Sequence, residues 1–145
     1  MSLLKKNYYL ISILILTLFV SAAFSETEIE TSLEQGIAFF EKEDYYPAKD
    51  IFEKLVTFEP ENSNFHHWLG KCYGRIAETA SWLNAISMAK KTRNAFEKAV
   101  ELDEQNINAL EDLMQYYQEA PGFLGGSKKK ANEIKKQLNR IENNI

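Results

Sequence analysis

From Leu33 onward, apolar residues return every three to four positions along almost the whole chain, which is the signature of amphipathic helices. Leu33, Gly36, Ile37 and Phe40 mark a first helix running to about Glu43, and Glu26 to Ser32 reads as an acidic lead-in where Thr31 or Ser32 caps or begins it. Asp44-Tyr45-Tyr46-Pro47 reads as a turn, with Pro47 suited to the first position of the next helix. Ala48, Ile51, Phe52, Leu55 and Val56 predict that helix, ending near Phe58 before Glu59-Pro60-Glu61-Asn62. Ser63-Asn64 is a capping pair for a third helix carrying Phe65, Trp68, Leu69, Cys72, Tyr73 and Ile76. The stretch Ala77 to Arg93 is rich in Ala, Ser and Leu and has no Gly or Pro, so it is predicted to continue as elongated helical hairpin arms. Its apolar residues, Trp82 and Leu83 among them, are expected to cover the end of a small core or to form a binding surface. Phe96, Ala99, Val100 and Leu102 follow. Ile107, Leu110, Leu113, Met114 and Tyr117 then predict a helix ending near Glu119. After the loop Ala120-Pro121-Gly122-Phe123-Leu124-Gly125-Gly126, Ser127 caps a last helix to about Asn143, striped by Ala131, Ile134, Leu138 and Ile141.

The pattern repeats within itself. Gly36, Phe39, Ala48, Phe52 and Pro60 are answered by Leu69-Gly70, Tyr73, Phe96 and Ala99. These spacings resemble the tetratricopeptide (TPR) repeat, W-x2-L-G-x2-Y…A-x3-F…P, in which paired helices bury their apolar faces by stacking on neighbours. The resemblance implies an all-α fold, a short right-handed TPR-like solenoid of three antiparallel helix hairpins, with repeats at about 29–62, 63–106 and 107–143. The second repeat is stretched by about ten residues relative to the standard length. Residues 65–74, the Ala-rich stretch to Lys90-Lys91, Ala95-Phe96-Glu97-Lys98-Ala99 and the 120–126 loop are similar to small exported bacterial TPR proteins of unknown function. More distantly they resemble the repeat domain of eukaryotic regulators of microtubule dynamics. The family implies binding of a peptide or protein in a helical groove, and it implies a scaffold instead of a catalyst.

The first 25 residues read as a separate object. Lys5 and Lys6 precede an apolar run from Tyr8 to Val20, and Ala23 and Ser25 occupy the small-residue positions of a cleavage site before Glu26. This is the layout of a secretory signal peptide. The alternative is an uncleaved anchor over residues 8–24, a length at the lower limit for crossing a bilayer. The expected location is therefore periplasmic or secreted, with membrane anchoring as the alternative. Residues 26–145 make one TPR-like domain.

Charge is unevenly placed. Residues 26–127 hold nine basic and nineteen acidic side chains, whereas 128–145 hold six basic and two acidic. An acidic body argues against nucleic acid, whose binding depends on neutralising phosphates. Cys72 is the single cysteine, so an internal disulfide is excluded, and its place between Leu69 and Tyr73 makes it a buried small hydrophobe.

Candidate chemistry is sparse. His66 and His67 are adjacent and point about 100° apart on a helix, so they do not form an i, i+4 metal pair. No metal or cofactor is expected, and no Ser/His/Asp or Cys/His arrangement is recognisable. If the first helix of each pair lines an inner groove, His67, Lys71 and Arg75 form one stripe, with Glu111, Gln115 and Gln118 as counterparts and Ile37 and Phe40 in the first repeat. Lys71 and Arg75 would hold a carboxylate of a partner peptide. A weaker anion site is expected where Gly125 and Gly126 offer backbone N–H groups beside Ser127 and Lys128 at a helix start. The simpler reading is a sharp turn requiring positive φ, with Phe123 and Leu124 plugging the core. The expected partner is another protein or peptide. The alternative is a structural subunit of an envelope complex, held at the membrane through the N-terminal segment or the 77–89 insert.

Overall fold

The computed structural model describes residues 26–143, so the leader expected over 1–25 lies outside the described residues. The described residues are all-helical, with no strand among them. The helices are α1 (26–41), α2 (Tyr45–Phe58), α3 (Ser63–Thr79), α4 (Trp82–Leu102), α5 (Ile107–Glu119) and α6 (Lys128–Glu142). A short 3-10 turn, Gly122–Leu124, separates the last two.

Three boundaries differ from expectation. α1 is helical from residue 26, because Ile29 extends the apolar stripe of Leu33 and Ile37 one turn earlier and packs against the core. The turn after α1 is tighter than predicted. Glu43 takes the left-handed conformation (φ 63°), the Asp44 N–H donates to the Phe39 carbonyl, and Pro47 falls inside the first turn of α2. At α3 the capping residue is Asn62, whose side chain accepts from the Asn64 and Phe65 N–H groups. Ser63 instead sends its Oγ across to donate to the Ala99 carbonyl at 2.8 Å.

That Ser63–Ala99 bond fixes one end of the α3–α4 pair. Further along, Gly70 lies against Ala95 and Phe96, and Gly74 against Thr92, so the two helices run antiparallel. α5 and α6 do the same, with Ser127 donating to the Tyr117 carbonyl at one end and Gln137 reaching the Glu104 carbonyl at the other. α3 and α5 run in the same direction. The buried Asn106 amide donates to Ser63 Oγ (2.8 Å) and Asn64 Oδ1 (3.1 Å), and one to two turns further along His67 meets Asp112.

Glycine sets the helix spacing at two places. A Cβ on Gly36 would stand 3.0 Å from the Phe52 ring, and one on Gly70 only 2.5 Å from the Phe96 ring. Each ring thus rests directly on the backbone of the neighbouring helix. Two apolar clusters result. One gathers Phe52, Phe65, Leu69, Cys72 and Tyr73 with Ala95, flanked by α1 and by Trp68, which stacks on Phe52 at 5.7 Å. The other gathers Phe96, Leu110, Leu113 and Tyr117 with Ala131, Ile134 and Leu138. Ala95 and Phe96 are neighbours on α4, so one helix forms a wall of both.

The Ala-rich stretch forms the far end of the α3–α4 hairpin, broken only at Ala80-Ser81. Met88 packs against the first cluster, while Trp82 and Leu83 at the apex remain in solvent. Among the described residues no helix is long and apolar enough to cross a membrane.

Candidate functional site

Beyond the His67–Asp112 contact, α3 and α5 border a groove of about 230 Å³. Its floor is Phe96, Thr92 and Gly74. One wall is Lys71, Arg75 and Glu78 of α3 with Phe40 of α1, and the other is Asp112, Gln115, Tyr116 and Glu119 of α5. A second hollow of about 260 Å³ continues past Lys71 and Asp112 to Asn64, His67, Asn108 and Glu111. A larger hollow of about 590 Å³ lies against α4 and α6, but it is a shallow polar surface with Glu97, Glu101, Glu104 and Arg140 around it. Position and side-chain chemistry, rather than size, single out the α3–α5 groove.

Aromatic rings hold the cations of the α3 wall. The Lys71 ammonium sits 4.2 Å from the Trp68 ring centroid and 5.2 Å from that of Phe40. Such contacts stabilise by roughly 0.5–1 kcal/mol at partly exposed sites. Lys71 has no carboxylate partner among the described residues, so its charge is available to a ligand. Arg75 is already engaged, donating to Glu78 at 2.7 Å and to the Tyr45 hydroxyl at 3.1 Å. The hydrogen bond to Tyr45 and the Glu78 charge raise its pKa further, and it stays cationic. Across the groove, Gln115 donates to Glu119 at 3.0 Å. One wall is therefore cationic along Lys71, and the facing wall is acidic.

The expected stripe is thus only partly assembled. Lys71, Arg75 and Gln115 line the groove, and Glu111 lines its continuation. Phe40 lines the groove too, whereas Ile37 is turned into the core. His67 borders that continuation too, but it is 6% exposed, with Nε2 bound to Asp112 Oδ2 at 2.7 Å, and it ties α3 to α5. Each four-residue step advances about 40° around a helix, so the series rotates from buried His67 through half-buried Lys71 to exposed Arg75. Gln118 is exposed and lines neither hollow. Asp112, Glu119, Glu78 and Tyr116 were not expected at the site. Asp112 and Glu119 share the spacing of Gln115 on α5, and that spacing was the signal that could have found them. His66 reaches the Pro60 carbonyl at 2.8 Å, a local turn contact.

At the expected anion site three backbone amides are already engaged. Gly125 N–H donates to the Gly122 carbonyl, Gly126 N–H to Pro121 and Ser127 N–H to Tyr117, so none of the three amides is open to an anion. Ser127 Oγ caps Lys130 N–H, and Lys128 begins α6 in solvent. The loop is the sharp turn: Gly125 has φ 94°, and a Cβ on Gly126 would overlap the Ala120 carbonyl oxygen at 1.7 Å. Arg93 and the Tyr116 hydroxyl both donate to the Leu124 carbonyl, docking the turn on α4 and α5. Phe123 is 65% exposed and plugs nothing.

Burial pushes the Cys72 thiol up to about 12, which leaves it protonated and unreactive at neutral pH. Tyr73 and Tyr117 are raised as well, first by burial and then by donating to Glu53 and Glu97. Among the described residues no cluster of three His, Cys, Asp or Glu side chains is placed to hold a metal ion. Compared with known proteins, the chain matches no protein-family model and no curated relative.

Proposed function

We propose that this protein is a non-catalytic, TPR-like interaction module of the bacterial cell envelope, and that the α3–α5 groove holds an extended or helical segment of another protein. The observation that carries the reading is the groove itself, an apolar floor between a cationic and an acidic wall. The segment it suits presents a carboxylate to Lys71 and a basic side chain to Asp112 and Glu119, with an apolar side chain over Phe96. The repeat character is supported by the same glycine-on-phenylalanine contact in successive helix pairs, Gly36 on Phe52 and Gly70 on Phe96. A binding role is favoured over catalysis because Cys72 and His67, the residues best suited to nucleophile and base, are both buried. The envelope location rests on the leader pattern of residues 1–25.

A photo-crosslinking residue placed at Gln115, inside the groove, and at Gln118, outside it, tests the reading in the native cell. A discrete adduct from position 115 that is absent from 118 and disappears with Lys71→Glu is expected. Equal labelling from both positions, or adducts indifferent to Lys71→Glu, would refute the groove. Mass spectrometry of the mature N-terminus, expected at Glu26, tests export separately.

A further inference from the structure

We propose that the apex of the α3–α4 hairpin is a lipid-contacting device, in which Trp82 and Leu83 enter the surface of an anionic bilayer while Lys90 and Lys91 meet its phosphates. Trp82 and Leu83 are 70% and 77% exposed, the most exposed large apolar side chains among the described residues, and they stand side by side at the first turn of α4. Their surroundings are unusual in an acidic chain. No Asp or Glu occurs between Glu78 and Glu97, and that interval carries Lys90, Lys91 and Arg93. Glu78, the acid nearest the apex, is neutralised by Arg75 at 2.7 Å. Arg93 is committed to the Leu124 carbonyl, which leaves the exposed Lys90, and Lys91 lying over the Tyr73 ring at 5.1 Å, as the cations without a carboxylate or carbonyl partner.

The spacing suits a bilayer. Lys90 lies eight residues beyond Trp82, about 12 Å along the helix. Apolar side chains of interfacial proteins enter to roughly 5–10 Å, so an upright hairpin brings the lysines to headgroup level. Tryptophan itself prefers that interface. A hairpin tip roughly 20 Å across, from helix diameter and spacing, is a patch of about 300 Å², half of the roughly 600 Å² per partner that the smallest stable protein interfaces bury. A lipid surface needs only a few apolar side chains supported by cations.

The test uses the full chain with vesicles of phosphatidylcholine plus phosphatidylglycerol, or phosphatidylcholine alone, all carrying brominated acyl chains that quench tryptophan at contact. Trp68, stacked on Phe52, is the internal control. Quenching is expected in the anionic vesicles and is lost in Trp82→Phe, where only Trp68 reports. Leu83→Glu should weaken partitioning about tenfold, and Lys90→Gln/Lys91→Gln by at least roughly tenfold, from about fivefold for each cation removed. The altered side chains face solvent, so unchanged circular dichroism confirms folding. Residues 8–24, if retained, act alike in both vesicle types and in every variant, so partitioning is read from Trp82 quenching, whose dependence on lipid and variant they do not supply. The proposal is overturned by equal quenching in both vesicle types, by quenching that survives Trp82→Phe, or by unaltered partitioning of Leu83→Glu. Self-association abolished by Leu83→Glu without any vesicle quenching would assign the apex to a second copy and overturn it as well.

Discussion

Gly70 and Gly74 lie one turn apart on α3, facing the same neighbouring helix, and replacing each by alanine should change stability in opposite directions. Alanine is better than glycine in a helix interior by about 0.8–1 kcal/mol, so both substitutions begin with that gain. At Gly74 the new methyl would lie 3.5 Å from the Thr92 methyl, an ordinary contact, and the gain survives: Gly74→Ala should stabilise by about 0.5–1 kcal/mol. At Gly70 the methyl would lie 2.5 Å from two carbons of the Phe96 ring and 3.3 Å from the Ala95 Cβ. Relief demands a shift of nearly 1 Å by a ring that is 6% exposed and enclosed by the second cluster. Overpacking of that kind costs about 1–3 kcal/mol. The displacement points to the upper half of the range, leaving Gly70→Ala destabilised by about 1–2 kcal/mol. Urea unfolding followed by helical circular dichroism measures both, and a thermal melt should separate the variants by roughly 6–12 °C. Gly70→Ala/Phe96→Leu should recover part of the loss, because a smaller side chain vacates the contact. Equal stabilisation by both alanines would refute the close approach as the reason for Gly70.

The other expectations concern buried polar groups. Asp112→Ala leaves the buried His67 imidazole without its carboxylate and should cost about 1–3 kcal/mol in urea unfolding, whereas Asp112→Asn should keep most of the stability. Asn106→Ala removes both the cap of α5, made to Ala109 N–H at 3.1 Å, and the bridge to Ser63 and Asn64, for a loss of about 2 kcal/mol in the same assay. Cys72 should resist a thiol reagent in the native protein and react once denatured; rapid native labelling would contradict its burial. Because the Cys72, Tyr73 and Tyr117 pKa values are all raised by folding, their protonated forms favour the native state. That stability is intact below about pH 9 and should fall as pH rises toward 12, as the unfolded chain ionises first. Denaturant midpoints measured across that interval check the sign.

Much of the helical framework could be read from periodicity, since each helix carries a continuous apolar stripe. The ends at Phe58 and Glu119 and the Ser127 cap follow from Pro60, Pro121 and the glycines beyond. Gly70 announced a close helix contact by standing at the centre of an otherwise apolar helix. What was hidden depends on distance in the chain. Asp112 looks like any other acid of α5, and only folding places it 2.7 Å from a histidine 45 residues earlier. The amides of Gly125 and Gly126 looked free because nothing local shows that Gly122 and Pro121 turn back to accept from them. The start of α1 was missed because Glu26, Glu28 and Glu30 disguise a stripe that Ile29 alone continues.

Because Ala95 and Phe96 sit back to back in different clusters, α4 is a party wall: neither side can be removed without stripping a lining from the other. Detachment of α5 and α6 would bare the Phe96 ring that rests on Gly70, and so loosen the α3–α4 seam itself. Amide exchange should accordingly be slowest on both sides of that seam, around Cys72 and Ala95, and grow faster outward toward α1 and α6. A groove mounted on that pair of helices keeps its floor fixed, while its α5 wall is held through the His67–Asp112 and Asn106–Ser63 contacts.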